Sequence, residues 1–167
     1  MYRRILVPLD GSPLAETAIP HATLLATTTG ADLELIRVTV LRFVPQPGGG
    51  GHVVQEAADR EEAETYLLGW ERKLSGNGIK VSYRVGAGSV AEEIVKHAAA
   101  TGVDLIVMST HGRTGTRLWA YGSVAYAVLR AAPCSMLVVR PPVRAAQTAA
   151  CADEAVGAET RSVDRRP

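Results

Sequence analysis

Aromatic side chains and excess charge are both scarce in this chain, and each shortage argues against a class of function. Phe, Trp and Tyr make up 5% of the 167 residues, which argues against a surface that stacks nucleic-acid bases. The formal net charge is +1, so no overall field draws the protein to nucleic acid or to an anionic membrane. We therefore expect neither a nucleic-acid partner nor a membrane partner.

Cysteine and long apolar runs are also limited. Cys134 and Cys151 show no metal-ligand spacing, and we expect them to be reduced thiols. The apolar run before Asp10 is too short for the core of a signal peptide, and no run reaches the roughly 20 residues of a transmembrane helix. These features predict a soluble, cytoplasmic protein.

Two common nucleotide-binding patterns are missing as well. The sequence contains no GxxxxGK(S/T) phosphate loop, and no GxGxxG follows the first apolar run. Any nucleotide site must therefore be built in another way.

What the sequence does contain is an alternation of short apolar runs with helical patterns. This alternation predicts an α/β fold, an open five-stranded parallel sheet with helices on both faces. The predicted strands are Arg4–Leu9, Asp32–Leu41, Lys80–Val85, Val103–Met108 and Ser135–Val139, and the predicted helices are Leu14–Thr27, Val54–Leu74, Val90–Ala100 and Val124–Ala131.

Local signals support these boundaries. Ser12 followed by Pro13 marks a helix start, and Ser89 with Glu92 predicts a capping box. Pro20 should kink or divide the first helix. The glycine-rich stretch Pro45–Gly51 predicts a flexible loop.

The carboxyl-terminal part of the chain differs in composition from the rest. It is rich in Ala, Arg and acidic residues without a hydrophobic period, which predicts a disordered tail over 142–167 after a single domain over 1–141.

Small residues after the fourth predicted strand suggest a phosphate cradle. Ser109, Gly112 and Gly115 follow this strand, and Gly122 with Ser123 begins the next helix, where backbone amides attract anions. The loop from Pro8 to Ser12 would share the cleft if the first and fourth strands are neighbours. The alternative is that the glycines only shape a long loop and Ser123 is an ordinary N-cap.

Four landmarks then point to a known family. The sequence contains four motifs in order within residues 1–141: ILVPLDGS, MSTHGRTG, GSV and PCSMLVVRP. Together these motifs resemble those of the universal stress protein family. Its ATP-binding branch carries G-x2-G-x9-G-(S/T). Here Ser109 stands at the first glycine, Gly112 at the second, and Gly122-Ser123 completes the pattern.

The resemblance implies a Rossmann-like fold similar to the adenine nucleotide alpha hydrolases, with strand order 3-2-1-4-5. It also implies an ATP site, or an AMP or ADP site, that can take Mg together with the nucleotide. Asp10 would face the ribose or a magnesium-bound water, and the Val38 backbone would bind adenine. The implied nucleotide-binding residues are Pro8, Leu9, Asp10, Val38, Met108, Ser109, Gly112, Arg113, Gly122, Ser123 and Val124.

The resemblance further implies a homodimer formed through the last strand, and a nucleotide-sensing role in stress response with slow hydrolysis at most. The protein partner is not identified by the sequence. The alternatives are a nucleotide-free interaction protein of the same fold and an ATP-dependent enzyme.

Candidate catalytic groups are few. His111 lacks a flanking carboxylate, so we assign no catalytic residue. His21, His52 and His97 show no ligand spacing and are predicted to lie on the surface. Asp10 has the alternative role of capping the first helix.

Overall fold

The structure, a computed structural model, describes residues 1–40, 42–45, 51–54, 57–76, 78–110 and 122–140. The predicted tail, and with it the domain boundary near residue 141, lies outside this part of the chain. The described elements, in chain order, are β1 Arg4–Pro8, α1 Pro13–Glu16, α2 Ala18–Thr29, β2 Asp32–Thr39, β3 Arg42–Pro45, β4 Gly51–Val54, α3 Ala57–Ser75, β5 Val81–Ala87, α4 Val90–Thr101, β6 Leu105–Ser109, α5 Ser123–Ala131 and β7 Ser135–Val139.

The main sheet confirms the predicted fold class. It has five parallel strands in the order β5-β2-β1-β6-β7, which is the order 3-2-1-4-5 when only these strands are counted. β1 lies at the centre, with β2 on one side and β6 on the other. The chain changes direction across the sheet here, and ligands of such folds bind at the carboxyl ends of the flanking strands.

The core has two layers because β1 and β6 are covered on both faces. Ile5 and Val7 pack with α2 and α3, whereas Leu6 packs with α4 and α5. All three side chains are fully buried. The near-continuous apolar runs of β1 and β6 are typical of parallel strands that lie between two helix layers.

The first predicted helix is divided at Thr17, as the position of Pro20 suggested. α1 ends at Glu16, and Pro20 lies in the first turn of α2, where its missing N–H costs no intrahelical hydrogen bond. The Ser12 hydroxyl accepts a hydrogen bond from Ala15 N (3.2 Å), so the predicted N-cap is confirmed.

Two local predictions need correction. Ser89 is the N-cap residue of α4, but its side chain makes no capping hydrogen bond, so the capping box is not formed. The predicted loop Pro45–Gly51 missed a hairpin, since β3 and β4 pair antiparallel from Arg42↔Val54 to Pro45↔Gly51. Residues 46–50 lie outside the described residues. Four-residue strands around a glycine run carry too little alternation to be detected in the sequence.

β7 is an edge strand of the sheet, which is the position that pairing with a second copy of the chain would require.

Within the described part of the chain, no helix has the length and apolar character needed to cross a bilayer.

Candidate functional site

A cavity of about 550 Å³ lies at the carboxyl ends of β1, β2 and β6, bordered by the start of α5. Its volume is within the range of small-molecule sites. The predicted site residues that line it are Pro8, Leu9, Asp10, Val38, Met108, Ser109, Gly122, Ser123 and Val124. Gly112 and Arg113 lie outside the described residues.

The described residues of the two segments that the sequence analysis placed together therefore line one cleft: Pro8, Leu9 and Asp10 from the first, and Ser109, Gly122 and Ser123 from the second. The pairing of β1 with both β2 and β6 brings them there, since parallel strands end at the same edge of a sheet. The assignment of these residues to nucleotide binding stays a prediction.

One end of the cavity is formed by the amino terminus of α5. Gly122 is the N-cap residue, its N–H donates to Thr110 O, and Thr110 N in turn donates to Val139 O (2.9 Å). These hydrogen bonds hold the start of α5 against the ends of β6 and β7. The first N–H groups of a helix have no intrahelical acceptor and carry partial positive charge, so this end suits an anion.

The other end offers backbone groups of β2. The last residue pair between β1 and β2 is Pro8↔Ile36, and Leu9 N donates to Ile36 O (2.8 Å). Alternate residues of a strand direct their N–H and C=O groups to the same side. Val38 therefore directs both groups toward the β1 side, two residues beyond the last pair and at the cavity.

A tight turn carries Asp10 into the cavity wall. The Asp10 carboxylate accepts a hydrogen bond from Ser12 N (2.9 Å), and Gly11 between them has φ +84°. Ser12 caps α1, so Asp10 shapes the turn before the helix and is not the cap itself. A lining carboxylate held in this way can accept hydrogen bonds from hydroxyl groups.

The sequence analysis missed a charged cluster on the same wall. Arg37 is 8% exposed, and its Nη2 donates to Glu62 Oε1 (2.9 Å) while its guanidinium lies 5.2 Å from the centroid of the Tyr66 ring. Arg37 and Glu62 line the cavity, as does Asp59. A signal existed: Arg37 follows Leu33 and Leu35 on the inward-facing positions of β2, where a charge is unusual.

Tyr66 extends this cluster to the first helix. Its hydroxyl donates to Glu16 Oε1 (2.9 Å), as does Trp70 Nε1 (3.3 Å). Burial, together with the hydrogen bond to Glu16, raises the pKa of Tyr66, so its hydroxyl remains a neutral donor. These contacts fix α3 against α1 beside the cavity.

The remaining lining residues were not predicted either. They lie in α1, β2, α4 and α5 or directly after β2 and β6, and most are apolar: Ala15, Ile36, Thr39, Val40, Val90, Ile94, Thr110 and Ala125. Side chains that enter a cavity from several elements far apart in sequence leave no local pattern to detect.

The prediction that His97 lies on the surface was wrong. His97 is 7% exposed, and its Nε2 lies 2.8 Å from Glu34 Oε1. Ile94 and Ile36, which line the cavity, are close neighbours of this pair in α4 and β2. The pair therefore joins α4 to β2. Among the described residues, no group of three or more acidic, His or Cys side chains could hold a metal ion.

Comparison with known proteins gives a consistent result. The sequence profile of the universal stress protein family matches residues 1–140. The chain is 34% identical over 143 residues to universal stress protein MJ0531 of Methanocaldococcus jannaschii, which covers 85% of this chain and 84% of that protein.

Solved structures agree with the sequence comparison. MJ0577 from the same organism superposes with a TM-score of 0.69 at 28% identity, over 84% of this chain and 97% of that one. A universal stress protein from Archaeoglobus fulgidus in complex with dAMP superposes with a TM-score of 0.61 at 20% identity, over 82% and 97% of the two chains.

Proposed function

This chain belongs to the universal stress protein family, and we propose that it binds an adenine nucleotide, ATP in particular, in the cavity between β1, β2, β6 and α5. Nucleotide binding would shift the conformational equilibrium of this protein toward the form that a protein partner recognises during stress. The observation that carries the proposal is that an anion-attracting helix start and two backbone groups of β2 meet in one cavity of about 550 Å³.

The phosphates are assigned to the start of α5. The amides there provide donors for phosphate oxygens, and Ser123 adds a hydroxyl group. Ser109, which stands where the ATP-binding pattern has glycine, is 6% exposed at the end of β6 and borders the same space. Gly112 and Arg113 complete the phosphate site in this proposal.

The base is assigned to Val38. Adenine presents an acceptor at N1 beside a donor at the 6-amino group, and the N–H and C=O of one residue complement this pair. Guanine presents a donor at N1 beside an acceptor at O6, which would place like groups together. The site should therefore prefer adenine over guanine.

The ribose is assigned to the side of Asp10, with Pro8, Leu9 and Met108 around it. Mg²⁺ usually keeps several waters and uses one or two carboxylates with substrate phosphates, so Asp10 alone could hold it through a water. The described lining contains no lysine and no histidine, and hydrolysis should be slow, below about one turnover per second.

A direct test is whether nucleotide accompanies the protein. Denaturing the purified protein and analysing the supernatant should release adenine nucleotide. Saturating Mg-ATP at about 100 times the Kd should stabilise the apo protein by about 2.7 kcal/mol, and raise its Tm by roughly 5–10 °C. Mg-GTP at the same concentration should raise it much less.

The alternative is a nucleotide-free interaction protein. It would be favoured if no nucleotide were released and neither Mg-ATP nor AMP moved the Tm. Equal shifts with ATP and GTP would instead contradict the role of Val38.

We also propose a cytoplasmic homodimer formed by antiparallel pairing of two β7 strands. β7 is an edge strand, and Leu137 on it is 36% exposed, so its backbone could pair with a second copy. Thr110 N donates to Val139 O, so Val139 directs its backbone groups toward β6 and the adjacent residue Val138 directs its N–H away from β6.

Val138→Pro should therefore remove an outward N–H without breaking the pairing of β7 with β6. Sedimentation of the wild type should give a dimer at micromolar concentration, and the variant should be a monomer with a similar Tm. A wild-type monomer, or a variant that remains dimeric, would contradict pairing through β7.

A further inference from the structure

The end of β2 extends past its pairing with β1, and this feature bears on how the base is positioned, an inference that rests on the proposed function. Within the described part of the chain, β1 pairs with β2 as far as Ile36, whereas β5 pairs with it as far as Thr39. Val38 lies between these two limits. The backbone groups to which adenine is assigned therefore belong to a stretch of strand that β5 holds in place.

Hydrogen bonds tie this end of β2 to the turn between β5 and α4. Thr39 is 7% exposed, and its hydroxyl donates to Gly86 O (3.1 Å). Gly88 N donates to Thr39 O (3.0 Å), so Thr39 directs its backbone groups toward β5 and the adjacent Val38 directs its own toward the β1 side. The strand is therefore fixed on the side opposite to the base.

Gly86 leaves the space into which Val38 and α4 pack. It is buried, and it is the residue of β5 that pairs with Val38. A Cβ atom added to Gly86 would lie 3.4 Å from Val38 Cγ2, 3.6 Å from Glu93 Oε2 and 3.8 Å from Glu93 Cβ. Glu93 belongs to the first turn of α4. These distances are ordinary contacts, so one carbon fits, whereas a larger side chain must displace Val38 or Glu93.

We propose that Gly86 is a positioning residue for base recognition, because its lack of a side chain lets the end of β2 pack so that the Val38 backbone meets the adenine edge. A larger residue in place of Gly86 would press on Val38 and displace this end of the strand. Hydrogen bonds weaken steeply as their distance and angle change, so the displacement would reduce the discrimination between adenine and guanine. The phosphates and ribose are assigned to other elements and would be less affected.

The experiment compares the affinities of the wild type and Gly86→Val for Mg-ATP and Mg-GTP by isothermal titration calorimetry. The preference for ATP over GTP should fall by about tenfold in the variant, mainly through weaker ATP binding. The nucleotide-free variant should unfold cooperatively, with a lower Tm because the packed side chains must make room. A loss of stability alone would leave the ratio of the two affinities unchanged.

Three further variants identify the cause. Gly86→Ala adds the one carbon that fits, and it should keep the wild-type preference. Ser82→Val enlarges an exposed residue of β5 that pairs with Glu34, away from Val38, and it should keep the preference as well. Val38→Ala added to Gly86→Val removes the methyl groups that the new side chain meets, and it should restore most of the lost preference. If Gly86→Val does not fold, Gly86→Ser carries the same prediction with a change of about threefold.

The outcomes separate the two proposals. If the wild type prefers ATP and a folded Gly86→Val keeps this preference, the positioning proposal fails and the nucleotide site stands. The same holds if Ser82→Val loses the preference to the same extent, or if Val38→Ala does not restore it. Equal binding of ATP and GTP by the wild type would contradict the roles of Gly86 and Val38 alone. If the wild type binds no nucleotide, both proposals fail.

Discussion

Gly122→Val is expected to weaken ATP binding by about a hundredfold, equivalent to about 2.7 kcal/mol, while the protein remains folded. Gly122 lines the cavity immediately before the first turn of α5, where the phosphates are assigned. An isopropyl group there would occupy the space beside the helix amides and keep phosphate oxygens out of hydrogen-bond distance.

The backbone at this position allows the substitution. Gly122 has φ −56° and ψ 148°, an extended conformation that valine also adopts. The Tm of the nucleotide-free variant should therefore stay within a few degrees of the wild type. Gly122→Ala should give an intermediate affinity, because its methyl group is smaller.

Calorimetric titration with Mg-ATP measures the effect. If the folded valine variant binds ATP as tightly as the wild type, the phosphates do not lie at the start of α5. A variant that has lost its cooperative unfolding would be replaced by the alanine variant, whose weaker binding carries the same prediction.

Gly11→Ala is expected to reduce both the free energy of unfolding and the affinity for ATP, by about 1–3 kcal/mol and about tenfold respectively. Gly11 has φ +84°, which strains any residue with a Cβ, and the new methyl group would press on the Arg37 guanidinium at 3.3–3.4 Å. Displacing the turn should also displace Asp10 from its position at the ribose.

Gly30→Ala is the matched control. Gly30 has φ +72° at the carboxyl end of α2, and nothing lies within 4 Å of an added Cβ. It should therefore lose about 1 kcal/mol of stability through backbone strain alone and bind ATP normally. Chemical denaturation and calorimetry measure both quantities. Equal losses of ATP affinity in the two variants would show that the effect does not pass through Arg37 and Asp10.

Local sequence signals predicted one helix cap correctly and another incorrectly. Ser12 with Pro13 identified the start of α1, because a hydroxyl that accepts from an amide three residues later needs only neighbouring residues. Ser89 with Glu92 has the same spacing, yet the side chain of Ser89 makes no capping hydrogen bond. Spacing allows such a bond, but the rotamers and neighbours of the folded protein decide whether it forms.

The side-chain pairs between distant elements were not predictable in this way. His97 pairs with Glu34, 63 residues earlier, and Arg37 pairs with Glu62, 25 residues later. The position of Arg37 among buried residues of β2 signals that it needs a partner, but neither segment reveals which residue that partner is. Only the packing of α4 and α3 on β2 brings each of these residues to its partner.

The sequence by itself determined the five parallel strands and the residues at their carboxyl ends. These follow from periodicity and composition, which act over a few residues and do not depend on the remainder of the chain. The tertiary structure alone decided how the candidate residues share one cavity with Arg37, Glu62 and Asp59. Such contacts depend on distances between elements far apart in the chain, and those distances exist only after the helices have packed on the sheet.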